Sequence, residues 1–197
     1  MGIDFGTLSG RALLVNADTG EEVAWVDHPY KNKVIEKNLP NSKKRLKPQT
    51  ALKDPADYIA VLTKAVPKVI KLAKANPEQI FGIGIDFTSC TMLPTLADGT
   101  PLCSQKKWRN NPHSWVKLWK HHAAQSEAND INKIGLKYSE EFITAYGGKY
   151  SSEWFFSKLL ETVREAPKVY AAAERFIEAG DWLVWQLTGL ELSLIHI

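Results

Sequence analysis

The chain has 197 residues, 44% of them hydrophobic and 24% charged. That balance excludes wholesale disorder and leaves enough chain to bury a core. With 25 Lys and Arg against 22 Asp and Glu, the net charge of +3 is too weak to argue for a nucleic-acid or membrane-surface partner.

Residues 1–7 predict a short apolar strand ending in Asp4-Phe5-Gly6-Thr7. Residues 11–15 and 22–28 predict two more strands, joined through the Asp18-Thr19-Gly20 turn as a hairpin. The stretch from Lys31 to Lys47 is basic and turn-rich and reads as a solvated loop. Asp54-Pro55 predicts a helix start, with Asp as the cap and Pro in the first turn. Tyr58, Leu62, Ala65, Val69 and Leu72 then share one face, with a bend at Pro67 and an end at Asn76-Pro77. Ile80 to Ile85 reads as a central parallel strand buried on both faces, running into Asp86-Phe87-Thr88-Ser89. Two extended pieces, 91–96 and 100–103, flank the Asp98-Gly99 turn. Asn111-Pro112 predicts another capped helix, with Trp115, Leu118, Trp119 and His122 on one face. Further helix is predicted over 139–146, 153–165 and 167–174, broken at Gly147-Gly148, then over 181–187, closed by Gly189. This order is α/β, a mixed sheet with flanking helices. Residues 190–197 end in an apolar run without capping logic and are set apart as a truncated or foreign tail.

No run approaches the roughly 18 apolar residues of a membrane span, and no secretory signal is read at the N-terminus. Cys90 and Cys103 have no metal-type spacing and read as reduced thiols of a cytoplasmic protein.

The most informative feature is an echo: Gly2-Ile3-Asp4-Phe5 recurs as Gly84-Ile85-Asp86-Phe87. Ligands of open α/β sheets bind beyond the carboxyl ends of strands. Side by side, the two ends would present Asp4, Gly6, Thr7 and Ser9 next to Asp86, Thr88 and Ser89. Gly6 lets backbone approach a phosphate closely, and Thr7 and Ser9 add hydroxyl donors. Asp4 suits a Mg²⁺ ion held through water, and Arg11 suits phosphate oxygens. Two strands with ordinary polar ends are the alternative these residues leave open. Other patterns are weaker. Gly82-x-Gly84 lacks the third glycine of a dinucleotide loop. His121-His122 point to different sides of a helix and make a poor metal pair. Ser89-Cys90 has no base placed near it, and Trp115 and Trp119 follow the helical period of a core.

Asp4-Phe5-Gly6-Thr7 with Ser9-Gly10-Arg11 resembles the first phosphate loop of the FGGY carbohydrate kinases, relatives of actin and the heat-shock ATPases. Gly84 to Pro94 (GIDFTSCTMLP), Asn111 to Gln125 (NPHSWVKLWKHHAAQ), Tyr146 to Trp154 (YGGKYSSEW) and Glu178 to Gly189 (EAGDWLVWQLTG) extend the resemblance. They narrow it to a branch acting on a pentulose. The resemblance implies an RNase H-like fold of two such domains with a cleft between them. It implies transfer of the ATP γ-phosphoryl group to the 5-hydroxyl of L-ribulose, a step of L-arabinose catabolism, with Mg²⁺. Carried over residue by residue, it assigns phosphate contacts to Gly6, Thr7, Ser9 and Arg11 and the metal region to Asp4. Substrate contacts fall on Thr88, Ser89, Cys90 and Glu153. The family's Gly-x-x-Asp-Ala-His segment with the catalytic Asp, its Thr-Ala-Gly-Tyr-Lys segment and its Gly-Thr-Ser adenosine side are not found, and the first strand reads as clipped. Residues 1–189 are therefore expected to be a partial N-terminal, sugar-binding domain, inactive alone, with the base beyond it. The implied partners are L-ribulose and ATP, with no nucleic acid, no membrane, and homo-oligomerisation of a full-length parent left open. A non-catalytic sugar-binding module and a kinase of the same family for another pentulose or a pentitol are the competing readings.

Overall fold

A computed structural model describes residues 1–40, 42–139 and 141–191. Most of the proposed tail, 192–197, lies outside the described residues. In chain order the strands and helices are β1 (Gly2–Phe5), β2 (Ser9–Val15), β3 (Glu22–Pro29), β4 (Leu52–Lys53), α1 (Pro55–Ala60), α2 (Val66–Ala73), β5 (Gly84–Phe87), β6 (Met92–Thr95), β7 (Val116–Lys117), α3 (Gln125–Lys137), α4 (Glu141–Ala145), α5 (Phe155–Glu165), α6 (Pro167–Ala172), β8 (Arg175–Glu178) and α7 (Ala179–Thr188). The chain divides into two compact units, residues 1–34, 53–89 and 179 onward, and residues 35–52 with 90–178.

The first unit carries a sheet in the order β3-β2-β1-β5. β2 and β3 form the expected antiparallel hairpin, its turn held by the Asn16 side chain, which accepts from the Asp18 and Thr19 amides. Ile3, Phe5, Ala12, Leu14 and Val26 are buried, and Phe5, Tyr30, Tyr58 and Phe87 meet ring to ring with centroids 4.9–6.0 Å apart. Asp54 caps α1 as expected, accepting from the Ala56 amide at 3.0 Å. The bend expected at Pro67 is replaced by a π-helical turn over Val61–Ala65 just ahead of it. The extra residue in that turn shifts the helical phase. Val61 is fully buried, while Leu72 is exposed. This turn packs on Gly10, where an added Cβ would stand 2.5 Å from Val61 Cγ2. Asn76-Pro77 opens a 3₁₀ turn rather than ending the helix, which stops at a left-handed Lys74.

β5 departs from expectation. It runs parallel to β1, but among the described residues it lies at the edge of the sheet, and it starts only at Gly84. Phe81 is 87% and Ile83 54% exposed. An apolar run reports hydrophobicity, not which strands flank it, and only the echo residues find backbone partners on β1.

The second unit has a sheet in the order β4-β7-β6-β8. β6 is buried along its whole length and pairs antiparallel with β8, from Met92↔Glu178 to Thr95↔Arg175. Ile35, Leu39, Leu52, Cys103 and Trp115 form one core cluster; Leu102, Ala166 and Val169 form another. The basic segment is thus only partly solvated: its lysines are exposed, while Ile35 and Leu39 are core.

The helix expected from Asn111 through His122 is absent. Asn111 caps a single 3₁₀ turn, Pro112–Ser114, and β7 follows. The backbone bonds that a helix would use go elsewhere, from Leu118 N to Ala51 O and from His122 N to Gln49 O. Trp115 is buried and Trp119 exposed, because the two no longer share a face. The long helix is α3 instead. α4, α5, α6 and α7 fall within or around the expected spans, and Gly147 and Gly148 make the break with φ of +75° and +88°. No helix among the described residues is long and apolar enough to cross a membrane.

Candidate active site

The echo is a structural pairing. β1 and β5 lie parallel with Gly2↔Gly84, Ile3↔Ile85, Asp4↔Asp86 and Phe5↔Phe87 in register. Asp4 also faces Arg11 on β2, and Arg11 faces Asp27 on β3. One row across four strands therefore reads Asp86, Asp4, Arg11, Asp27. It lines an open cleft of about 940 Å³ together with Ser9 and Trp25. Arg11 Nε lies 3.3 Å from Asp27 Oδ1 and Nη1 lies 3.9 Å from Asp4 Oδ2. Ser9 Oγ donates to Asp27 Oδ1 at 2.8 Å. The Arg11 side chain is 62% exposed, so these pairs are weak and the guanidinium can exchange partners at little cost. Among the described residues no three His, Cys, Asp or Glu converge as a metal cage. Two neighbouring carboxylates, Asp4 and Asp86, do match what Mg²⁺ takes from protein when phosphates and water supply its other ligands.

Beyond β1 the chain turns tightly, with the Gly6 amide donating to Ser9 O at 3.0 Å. A Cβ on Gly6 would stand 3.2 Å from that oxygen. Thr7 sits at the tip, and its carbonyl accepts from Lys53 Nζ at 3.0 Å. The same ammonium donates to Lys33 O at 2.6 Å and lies 4.1 Å from the centre of the Tyr30 ring. Lys53 has no exposed surface; burial pulls its pKa down to about 8 against the opposing pull of Asp57 and Asp54. Thr88 and Ser89 continue from β5 in this unit.

In the second unit Cys90 has φ +58°, a left-handed conformation uncommon outside glycine. Its carbonyl accepts from Lys158 Nζ, and the next amide, Thr91, donates to Glu178 Oε2 at 3.0 Å. Lys158 is fully buried on α5; burial brings its pKa to about 8, opposed by Cys90 and Glu178. Glu153 lies beside the paired rings of Tyr146, Tyr150 and Trp154 in sequence, and its amide donates to Ser151 Oγ at 3.2 Å. Its Oε1 lies 3.6 Å from His122 Nε2. His121 and His122 are not on a helix, and they do face different partners. His121 Nδ1 accepts from the Ala51 amide, so Nε2 carries the proton and donates to Glu161 Oε2 at 2.9 Å. Lys117 Nζ also donates to Glu161 Oε2, at 2.6 Å. Burial disfavours the Glu161 carboxylate, but His121 and Lys117 together outweigh it and hold the group ionised.

Sequence reasoning missed Asp27, Lys53 and Lys158. Asp27 carries no motif, and Lys53 no signal beyond its apolar neighbours Ala51 and Leu52. Lys158 had one: the buried stripe of α5 is Ser157, Lys158, Glu161 and Thr162, a polar face at core spacing that demands internal partners.

The chain's residues 1–194 match the model for the FGGY family of carbohydrate kinases, N-terminal domain. It is 52% identical over 189 residues to a ribulokinase of Shouchella clausii, covering 96% of this chain and 34% of that protein. It is 51% identical to a ribulokinase of Geobacillus thermodenitrificans, covering 96% and 33%. The chain thus spans about a third of the length of the curated relatives it matches. Among solved structures, xylulose kinase from Rhodospirillum rubrum superposes with a TM-score of 0.71 at 18% identity over 95% of this chain and 33% of that one. Gluconate kinase from Lactobacillus acidophilus gives 0.68 at 20% identity over 95% and 32%. The fold is thus the RNase H-like one of these sugar kinases, with mixed sheets and flanking helices. With the family model spanning nearly the whole sequence, the chain belongs to the FGGY family of carbohydrate kinases.

Proposed function

We propose that this chain is the N-terminal, sugar-binding part of an ATP-dependent ribulokinase of the cytoplasm. The reaction is transfer of the γ-phosphoryl group to the 5-hydroxyl of L-ribulose, giving L-ribulose 5-phosphate in L-arabinose catabolism. The observation that carries the substrate is the 52% identity to a ribulokinase over 96% of the chain; the solved kinases for other sugars are 20% identical or less.

Phosphoryl transfer is mostly positioning and charge neutralisation. In this reading Gly6 and the Thr7 hydroxyl meet phosphate oxygens on a loop that Lys53 holds in place. Arg11 and Ser9 leave Asp27 for the incoming phosphate. Asp4 with Asp86 would hold a Mg²⁺ ion, whose chemistry there would be charge neutralisation at the phosphates. Thr88, Ser89 and Cys90 orient the sugar, and Glu153 accepts from a sugar hydroxyl. The catalytic base and the adenosine side belong to the two thirds of the relatives' length that this chain does not span.

The test is a chimera in which residues 1–189 replace the corresponding third of the Shouchella clausii ribulokinase, followed by coupled ADP release. We expect sugar-dependent turnover with L-ribulose preferred over D-xylulose and ribitol, and no turnover from the chain alone. A folded chimera that prefers another sugar assigns the chain to a different kinase of the family. One that binds L-ribulose without turnover makes it a binding module.

A further inference from the structure

The basic segment noted in the sequence has no place in the phosphoryl-transfer reading, yet it walls a cavity of about 310 Å³ within the second unit. That is the small end of the range for ligand pockets, about 300–1000 Å³. Lys44, Arg45 and Lys47 line it from the segment; Asn111, His113 and Glu165 line it from elsewhere.

The deeper groups satisfy one another. Lys117 Nζ has three acceptors, Lys158 O, Glu161 Oε2 and Thr162 Oγ1, all within 3.0 Å. Lys47 is taken by Glu165 at 2.6 Å and Glu161 at 3.6 Å. His113 is different. Its Nε2 faces Glu165 Oε2 at 3.5 Å, which places the ring proton there. Nδ1 is buried and has no hydrogen-bond partner among the described residues. Burial, with Lys117 adding to it, depresses the ring's pKa to about 3. The ring is neutral, and Nδ1 keeps its lone pair inside the packing, away from the cavity surface. Asn111 Oδ1 accepts from the His113 amide at 3.0 Å, leaving its NH₂ to donate. Neither Lys44 nor Arg45 has a carboxylate partner among the described residues. The lining cations Lys44, Arg45, Lys47 and Lys117 exceed the carboxylates Glu161 and Glu165 by two charges. A phosphate monoester carries about −1.5 to −2 at neutral pH.

We infer that this cavity binds a small phosphorylated polyol, with its phosphate on Lys44 and Arg45 and a hydroxyl accepting from the Asn111 side-chain NH₂. The site goes beyond the phosphoryl-transfer reading and does not depend on it, since binding is read without ATP or turnover. The experiment is calorimetric titration of this chain with D-ribose 5-phosphate, inorganic phosphate and D-ribose. D-ribose 5-phosphate should bind, inorganic phosphate at least tenfold more weakly, and D-ribose not measurably. Arg45→Ala and Lys44→Ala, both exposed positions, should each weaken D-ribose 5-phosphate binding tenfold or more with the melting temperature unchanged. Arg11→Ala should leave it as it was. The proposal is overturned by no binding of D-ribose 5-phosphate, or by inorganic phosphate or D-ribose binding as tightly. Loss with Arg11→Ala but not with Arg45→Ala would overturn it too, by placing the ligand in the other unit.

Discussion

The two units hold their candidate loops with the same device in different settings. In each, a lysine with no exposed surface donates to a main-chain carbonyl, Lys53 to Thr7 O and Lys158 to Cys90 O. A carbonyl anchor fixes the loop through its main chain. Lys53 divides its ammonium between two carbonyls and the Tyr30 face. Its loop turns at Gly6, where a compact bend is easily made. Lys158 serves one carbonyl, and the residue it holds is left-handed at Cys90. A non-glycine residue in that conformation costs about 1–2 kcal/mol. The Gly6-Thr7 loop is therefore held relaxed, while Cys90 is held under strain that its lysine offsets.

The sharpest way to break this comparison is to test which substrate each loop serves, in the chimeric kinase. Thr7→Ala should lower kcat by about 10², as removal of one positioned donor does, with the L-ribulose KM little changed. An unchanged kcat with a raised sugar KM would swap the two loops. Ser89→Leu should raise the L-ribulose KM tenfold or more, about 1.4 kcal/mol, and leave the ATP KM nearly constant. Saturation curves in each substrate decide it, and a rise confined to ATP would move Ser89 to the phosphate side.

A smaller effect tests whether the two lysines are alike. Burial brings both from 10.5 to about 8. The unfolded chain keeps these protons up to about pH 10.5, and the folded chain releases them near 8. Between those values the unfolded state binds more protons, so stability rises with pH. Lys117, also lowered by burial, acts in the same sense. Tyr30 and Tyr58, both pushed up by burial, reverse the trend above their ordinary value of about 10. The urea midpoint of the chain should therefore be higher at about pH 9.5 than at about pH 7.5. Lys53→Met and Lys158→Met should each flatten that rise. A rise that neither variant alters would remove the shared device.

The smallest effect isolates the strain. Cys90→Gly should stabilise the chain by up to about 1 kcal/mol, because glycine takes a positive φ without the Cβ clash, less its larger loss of chain entropy. A destabilised Cys90→Gly would mean that the thiol's own packing outweighs the backbone cost.

Local chemistry was legible from residues alone. The Asp18-Thr19-Gly20 hairpin, the Asp54 cap and the Gly147-Gly148 break depend on bonds and φ angles within a few positions, so short motifs report them. The Gly-Ile-Asp-Phe echo was legible as well, because two strands of like sequence present like ends, and the structure pairs them in register. Tertiary structure alone decided where backbone bonds of uncertain segments went. Residues 115–122 have a helical period, yet the Leu118 and His122 amides bond to Ala51 O and Gln49 O, far away in sequence. Residues 80–85 looked buried by their hydrophobicity, yet Phe81 and Ile83 are exposed and pairing with β1 begins only at Gly84. Above all, Lys53, Lys158 and Asp27 took their places through partners 46, 68 and 16 residues away. Periodicity senses a few turns of chain, and a buried charge is decided by whichever distant carbonyl or carboxylate the fold brings to it.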